Sequence, residues 1–153
     1  LGERIEVSDL SKKFEGSGRL GKKNLKGFYK YNDKGRTEGI DETVYGDLGL
    51  RAPNHKLTSK ECIERGLLQM VNEAARTLLE DNIVEKPEDV DLGMIMGTGF
   101  PPFRGGLLRY ADSLGAEYIV EQLEELKAKY GVRFTPSASI SQMANNHKSF
   151  YTN

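Results

Sequence analysis

The sequence predicts an all-α fold, and three observations carry that prediction. From Thr58 onward, apolar residues recur at helical spacing in successive blocks. Helix start and stop residues punctuate those blocks: a Thr-x-x-Glu box, prolines near helix starts, and glycines just past the last apolar position. No run alternates apolar and polar residues in the way a half-buried strand would.

The elements follow in order. Ser8 to about Gly16 reads as a short amphipathic helix, with Leu10 and Phe14 four residues apart. "GSGRLGKKNLKGFYKY" is basic, punctuated by glycine, and carries the aromatic pair Phe28-Tyr29 near its end. "NDKGRTEGIDETVYGDLGLRAPNHK" has many turn formers and no period, so it reads as a long connection. A connector of that length is unusual inside a compact domain, which makes it the separator of two units. Thr58 and Glu61 form a capping box, the hydroxyl accepting from an orphan N–H while the carboxylate reaches back. Behind it Ile63, Leu67, Met70, Val71, Ala74, Ala75, Leu78 and Leu79 continue a long helix to about Asp81. Pro87 suits the first turn of the next helix, with Glu88 and Asp89 at its positive end. Leu107, Leu108, Ala111 and Leu114 mark a third helix closed by Gly115. Ile119, Val120, Leu123, Leu126 and Tyr130 mark a fourth, closed by Gly131, and Pro136 introduces a last short one with Ile140 and Met143.

Composition narrows the class. At 153 residues, 37% hydrophobic and 29% charged, the chain reads as globular rather than disordered. No apolar run approaches the roughly 20 residues of a membrane span. The start, Leu1-Gly2-Glu3-Arg4, has no apolar signal region and no initiator Met, the pattern expected of a piece of a longer polypeptide. One cysteine, Cys62, allows neither an internal disulfide nor a cysteine metal cluster, and a cytoplasmic setting is expected. The net charge of −1 conceals a basic front: residues 1–37 sum to +5 and the remainder to −6.

The most conspicuous site candidate is "GMIMGTGFPPFRGG", Gly93 to Gly106. A dinucleotide loop needs G-x-G-x-x-G between a strand and a helix. Here Gly97-Thr98-Gly99 is followed by Phe100-Pro101-Pro102, and proline has no N–H to offer a phosphate. The stretch therefore reads as a tight corner between helices with Phe100 and Phe103 plugging the gap, and Arg104 is expected to face a carboxylate, a helix C-terminus or a neighbouring domain. His55 and His147 have no carboxylate at a spacing that suggests an activated dyad. Cys62 falls on the apolar side of its helix and is expected in the core. Glu64, Asn72 and Glu73 read as solvated polar face or as inter-helix hydrogen bonding. "GKKNLKGFYKY" interleaves lysines with aromatics, as some nucleic-acid binders do, but reads better as a solvated turn. No catalytic, cofactor-binding or metal-ligating residue is assigned.

Two segments share a layout. "SDLSKKFEGSGRLGKKNLKGFY" and "ASISQMANNHKSFY" each pair a small helix with a polar turn and Lys-x-Phe-Tyr, ending at Phe28-Tyr29 and Phe150-Tyr151. These motifs together resemble a known family. "GRLGKKNLKGFYKY" is similar to the closing segment of the C-terminal domain of 3-hydroxyacyl-CoA dehydrogenases. "RGLLQMVNEAARTLLEDNIVEKPEDVDLGMIMGTGFPPFRGGLLRYADSLG" resembles the second C-terminal copy of the multifunctional fatty-acid oxidation enzymes, and "MANNHKSFY" the end of that copy. The resemblance runs from about Leu10 to Tyr151.

It implies a helical domain of the 6-phosphogluconate-dehydrogenase C-terminal type. Residues 1–31 would be the tail of the first copy, 32–57 a connector and 58–153 the second copy. The implied parent oxidises 3-hydroxyacyl-CoA with NAD, carries an enoyl-CoA hydratase region and a Rossmann domain upstream of Leu1, and works with a thiolase subunit. In the catalytic first copy of the family an Asn-Arg pair near the start of the long helix lies close to substrate. Alignment on Asn72-Glu73-Ala74 puts Glu64-Arg65 there, which speaks against an active site in this copy. The expectation is thus a non-catalytic part that holds no cofactor itself, binds no nucleic acid, and stands in for the partner subunit of single-function relatives. The alternative is an independent helical binding module whose basic front takes phosphate-rich ligands or nucleic acid.

Overall fold

The computed structural model describes residues 9–51 and 56–151; Ser8 and His55 lie outside them. Seven α-helices and one two-stranded sheet are formed among the described residues. None of the helices is long and apolar enough to cross a membrane. The chain divides into two compact units, Leu1–Lys56 and Leu57–Asn153.

In the first unit, helix α1 spans Asp9–Gly16, strands β1 and β2 span Tyr29–Tyr31 and Thr37–Ile40, and helix α2 spans Thr43–Asp47. The reading of residues 32–57 as structureless and strand-free is corrected here. Asn32 Oδ1 accepts from the amides of Lys34 and Arg36, both at 3.0 Å, and Gly35 takes φ +69°, so the chain reverses and β1 pairs antiparallel with β2. Alternation was invisible because every residue of β2 is exposed, leaving no buried face to imprint a two-residue period. Arg19 forms the centre of this unit and is 2% exposed. Its guanidinium donates to the Gly27 carbonyl at 2.6 Å, to Asp41 at 2.9 Å, to Thr43 at 2.6 Å and to Asp47 at 2.7 Å. A buried cation persists only where its donors are matched in this way.

In the second unit, α3 spans Ser59–Leu79, α4 Pro87–Thr98, α5 Leu107–Leu114, α6 Ala116–Tyr130 and α7 Ala138–Asn145. The capping box is present: Thr58 Oγ1 accepts from the Glu61 amide at 3.2 Å and Glu61 accepts from the Thr58 amide at 2.7 Å. Pro87 opens α4, and Gly99, at φ +73°, closes it by donating to the Ile95 carbonyl. Gly115 and Gly131 end α5 and α6.

The core-facing side of α3 differs from the expectation. Leu68, Val71, Ala75 and Leu78 face inward, with Leu107 and Leu108 of α5, Ile119 and Leu123 of α6 and Ile140 of α7. Leu67 and Met70 pack only partly against that core, Leu79 is exposed, and Ile63 and Cys62 lie in solvent rather than inside. The apolar arc on α3 is broader than one packing face, and spacing does not say which side of a broad arc is covered. Asn72 is fully buried: its Nδ2 donates to the Thr135 carbonyl at 2.9 Å and its Oδ1 accepts from the Ser137 amide at 2.8 Å. That pair of bonds holds the loop before α7, where Ser137 Oγ accepts from Ile140 at 3.1 Å as the helix cap.

Candidate functional site

The glycine-rich corner is where a ligand would be sought first, and four of its backbone donors are already committed. The amides of Gly99 and Phe100 donate to the Ile95 and Met94 carbonyls, and those of Arg104 and Gly105 to the Pro101 and Pro102 carbonyls. A bare helix N-terminus attracts anions, but at α5 the anion is internal. Asp91 Oδ1 accepts from the Leu108 amide at 2.6 Å and Oδ2 from the Arg109 amide at 3.1 Å. Gly106 permits this approach: at φ +119°, a Cβ on it would fall on the Asp91 side chain. The Tyr151 hydroxyl donates to Asp91 Oδ2 at 2.7 Å, and Arg109 stacks 3.5 Å over the Tyr151 ring. Burial, and next the hydrogen bond to Asp91, push the Tyr151 phenol well above its ordinary range, so it stays a donor. Asp112 accepts from the amides of Phe150 and Tyr151 at 2.8 and 3.0 Å and pins the same turn. The corner is thus a self-satisfied joint of α4, α5 and the C-terminal turn.

Sequence reasoning missed Asp91, Asp112 and Tyr151. The contact between Asp91 and Tyr151 closes 60 residues of chain, and neither local spacing nor composition signals it. Of the two phenylalanines expected inside, Phe100 is 7% exposed but Phe103 is 83% exposed. Phe103 sits on a 3₁₀ turn, Pro102–Arg104, that carries it outward. Among the described residues Arg104 meets aromatic rings rather than a carboxylate, 5.5 Å from the centroid of Tyr110 and 5.8 Å from that of Phe103.

Glu64 accepts from the Tyr118 hydroxyl at 3.2 Å and pairs with Lys60 at 3.6 Å, and Arg65 lies 4.0 Å over the Tyr130 ring. Both side chains of that position thus join α3 to α6. Burial, and next the Glu64 charge, raise the Tyr118 phenol. His147 finds a carboxylate after all: its Nδ1 lies 2.7 Å from Glu117 Oε1, thirty residues away, at the start of α6. Local spacing carries no sign of this pair because the fold, not the chain, brings it together. Its own backbone N–H, and then His147, lower the Glu117 carboxyl. Both side chains are open to water, the setting in which an ion pair contributes little. Among the described residues no group of three or more His, Cys, Asp or Glu side chains is gathered so as to hold a metal ion.

The chain is similar along its whole length to part of a larger protein. It is 43% identical over 152 residues to the fatty acid oxidation complex subunit alpha of Shewanella halifaxensis, covering 99% of this chain and 21% of that one. The subunits of the same description from Shewanella amazonensis, at 45% over 152 residues, and Idiomarina loihiensis, at 44% over 151, are matched over the same shares. The chain therefore spans about one fifth of the length of the curated relatives it matches. The crystal structure of M. tuberculosis FadB2 shares the fold, with a TM-score of 0.53 at 16% identity over 97% of this chain and 69% of that one. No protein-family model matches the chain. The resemblance read from the motifs and the mainly helical fold both stand on these findings.

Proposed function

We propose that this chain is the helical C-terminal part of a multifunctional 3-hydroxyacyl-CoA dehydrogenase and enoyl-CoA hydratase of fatty-acid oxidation, and that it performs no chemistry itself. It packs against the dehydrogenase core as an internal stand-in for a dimer partner. In this reading residues 1–31 close the first C-terminal copy and residues 58–153 form the second. NAD and acyl-CoA bind to the Rossmann, first-copy and hydratase regions in the remaining four fifths, and a thiolase subunit assembles with the whole in the cytoplasm.

The observation that carries this reading is 43% identity along 99% of this chain to one fifth of a fatty acid oxidation complex subunit alpha. The geometry agrees with it. Glu64 and Arg65 are spent on joining α3 to α6, and Asp91 occupies the amides that a phosphate would use. The test is direct. Purified residues 1–153, given a 3-hydroxyacyl-CoA and NAD, should form no NADH. Steady NADH formation proportional to protein would refute the non-catalytic reading.

A further inference from the structure

One face of the second unit is apolar and not covered by its own core. Ile63, Gly66, Leu67 and Met70 follow one another along α3 and, with Pro101 and Arg104 of the corner, line an open groove of about 480 Å³. Ile63 is 58% exposed. Gly66 lies inside a 21-residue helix, where glycine is less favourable than alanine, and a Cβ there would meet nothing within 4 Å. The chain thus carries a helix-weakening residue at the one point of the groove floor where a crossing backbone could come closest. Arg104 stands at the rim over the Tyr110 ring, and among the described residues no carboxylate pairs with it.

We propose that this groove seats an amphipathic helix from the part of the parent polypeptide outside this chain. Its apolar stripe crosses α3 over Gly66, and one of its carboxylates faces Arg104. The inference rests on the packing role proposed above and names the surface that does the packing. Two observations select this occupant. Four fifths of the relatives' length lies outside the chain, and a helix on the same polypeptide docks intramolecularly. A second copy of this chain fits less well: no carboxylate lines the groove, so two grooves pairing isologously would leave both Arg104 guanidiniums without a counter-charge.

Cys62, exposed beside the groove, reports its occupancy. Its alkylation rate, followed by peptide mapping, should be at least tenfold slower in the full-length parent than in the isolated chain. Gly66→Leu should restore fast alkylation in the parent by filling the space the helix needs, while the isolated Gly66→Leu chain melts no lower than wild type. Arg104→Glu should do the same by charge reversal, which guards against a folding failure of the first variant. Equal Cys62 rates in parent and isolated chain overturn the inference. Oxidative footprinting then tells whether another face is covered, in which case the packing role survives, or none, in which case both readings fall. Protection that grows with the concentration of the isolated chain would assign the groove to a second copy, and protection by added dodecanoate to a lipid; either result overturns the proposal.

Discussion

Asn72 shows how much of this fold one side chain holds. Its amide serves a carbonyl and an N–H of the same loop from inside the core. Asn72→Ala leaves the buried Ser137 N–H without that partner, while the Thr135 carbonyl keeps its bond from Arg76 at 3.1 Å. The expected loss is about 1–3 kcal/mol for that one unsatisfied group, read from urea denaturation. A change under about 0.5 kcal/mol would mean water replaces the amide. Neighbouring positions on α3 separate two kinds of apolar residue. Leu68→Ala should cost about 2–5 kcal/mol through lost burial and a cavity, because Leu68 is 2% exposed. Leu67 and Met70, by spacing equal candidates for the core, only flank it, and truncating either should cost clearly less. Equal losses at Leu67 and Leu68 would put the wrong face inside. At Gly106 the constraint is steric. A Cβ at φ +119° would collide with Asp91, so Gly106→Ala should unseat the carboxylate from the α5 amides and lower the melting temperature, whereas Gly97→Ala, with open space around it, should not.

The elements of the first unit combine a small apolar set, Val44, Leu48 and the stacked Phe14 and Phe28, with a buried ion cluster, and the cluster gives the unit a pH dependence. The hydroxyl of Thr43, and then the Arg19 guanidinium, hold the Asp41 carboxyl at about 2, and Arg19 followed by Lys26 lowers Asp47 as well. Folded values below the unfolded ones mean that the unfolded chain binds protons more readily. The stabilisation is therefore complete above the unfolded carboxylate range, near pH 4, and is lost as pH falls toward about 2. Amide resonances of β1 and β2, followed by NMR between pH 5 and 2, should disperse less as acid is added, and Asp41→Asn should flatten that dependence. Unchanged hairpin signals at pH 2 would show that the ion cluster does not hold this unit. The same elements explain what could be read in advance. Caps, Pro87, Gly115 and Gly131 act through their immediate neighbours, so those helix bounds were legible in the letters. The hairpin was not, since its strands bury no face. Nor was the Arg19 cluster, whose carboxylates lie 22 and 28 residues away, nor the Asp91–Tyr151 contact that closes the candidate site.

Across the whole molecule the deciding property is whether any surface offers a phosphate a prepared seat. A nucleotide or CoA would need converging N–H groups and a cation held toward them. The strongest such place, the start of α5, already contains the Asp91 carboxylate, supported by the Tyr151 hydroxyl. Pro101 and Pro102 bring no donor to the preceding turn, and Arg104 lies over aromatic rings beside an apolar groove. An incoming phosphate would have to displace a buried carboxylate and strand a phenol whose proton burial holds in place. Calorimetric titration of the chain with CoA, NAD and ATP should therefore show no binding tighter than about 10 μM, the equivalent of about 7 kcal/mol. Binding at that strength would defeat the reading of the corner as a packing joint if it disappeared in a natively folded Gly99→Ala/Arg104→Ala variant. If it persisted there and was lost instead on replacing Lys22, Lys23 and Lys26, the basic front would be the ligand site, and the chain would be a binding module rather than a structural part of its parent.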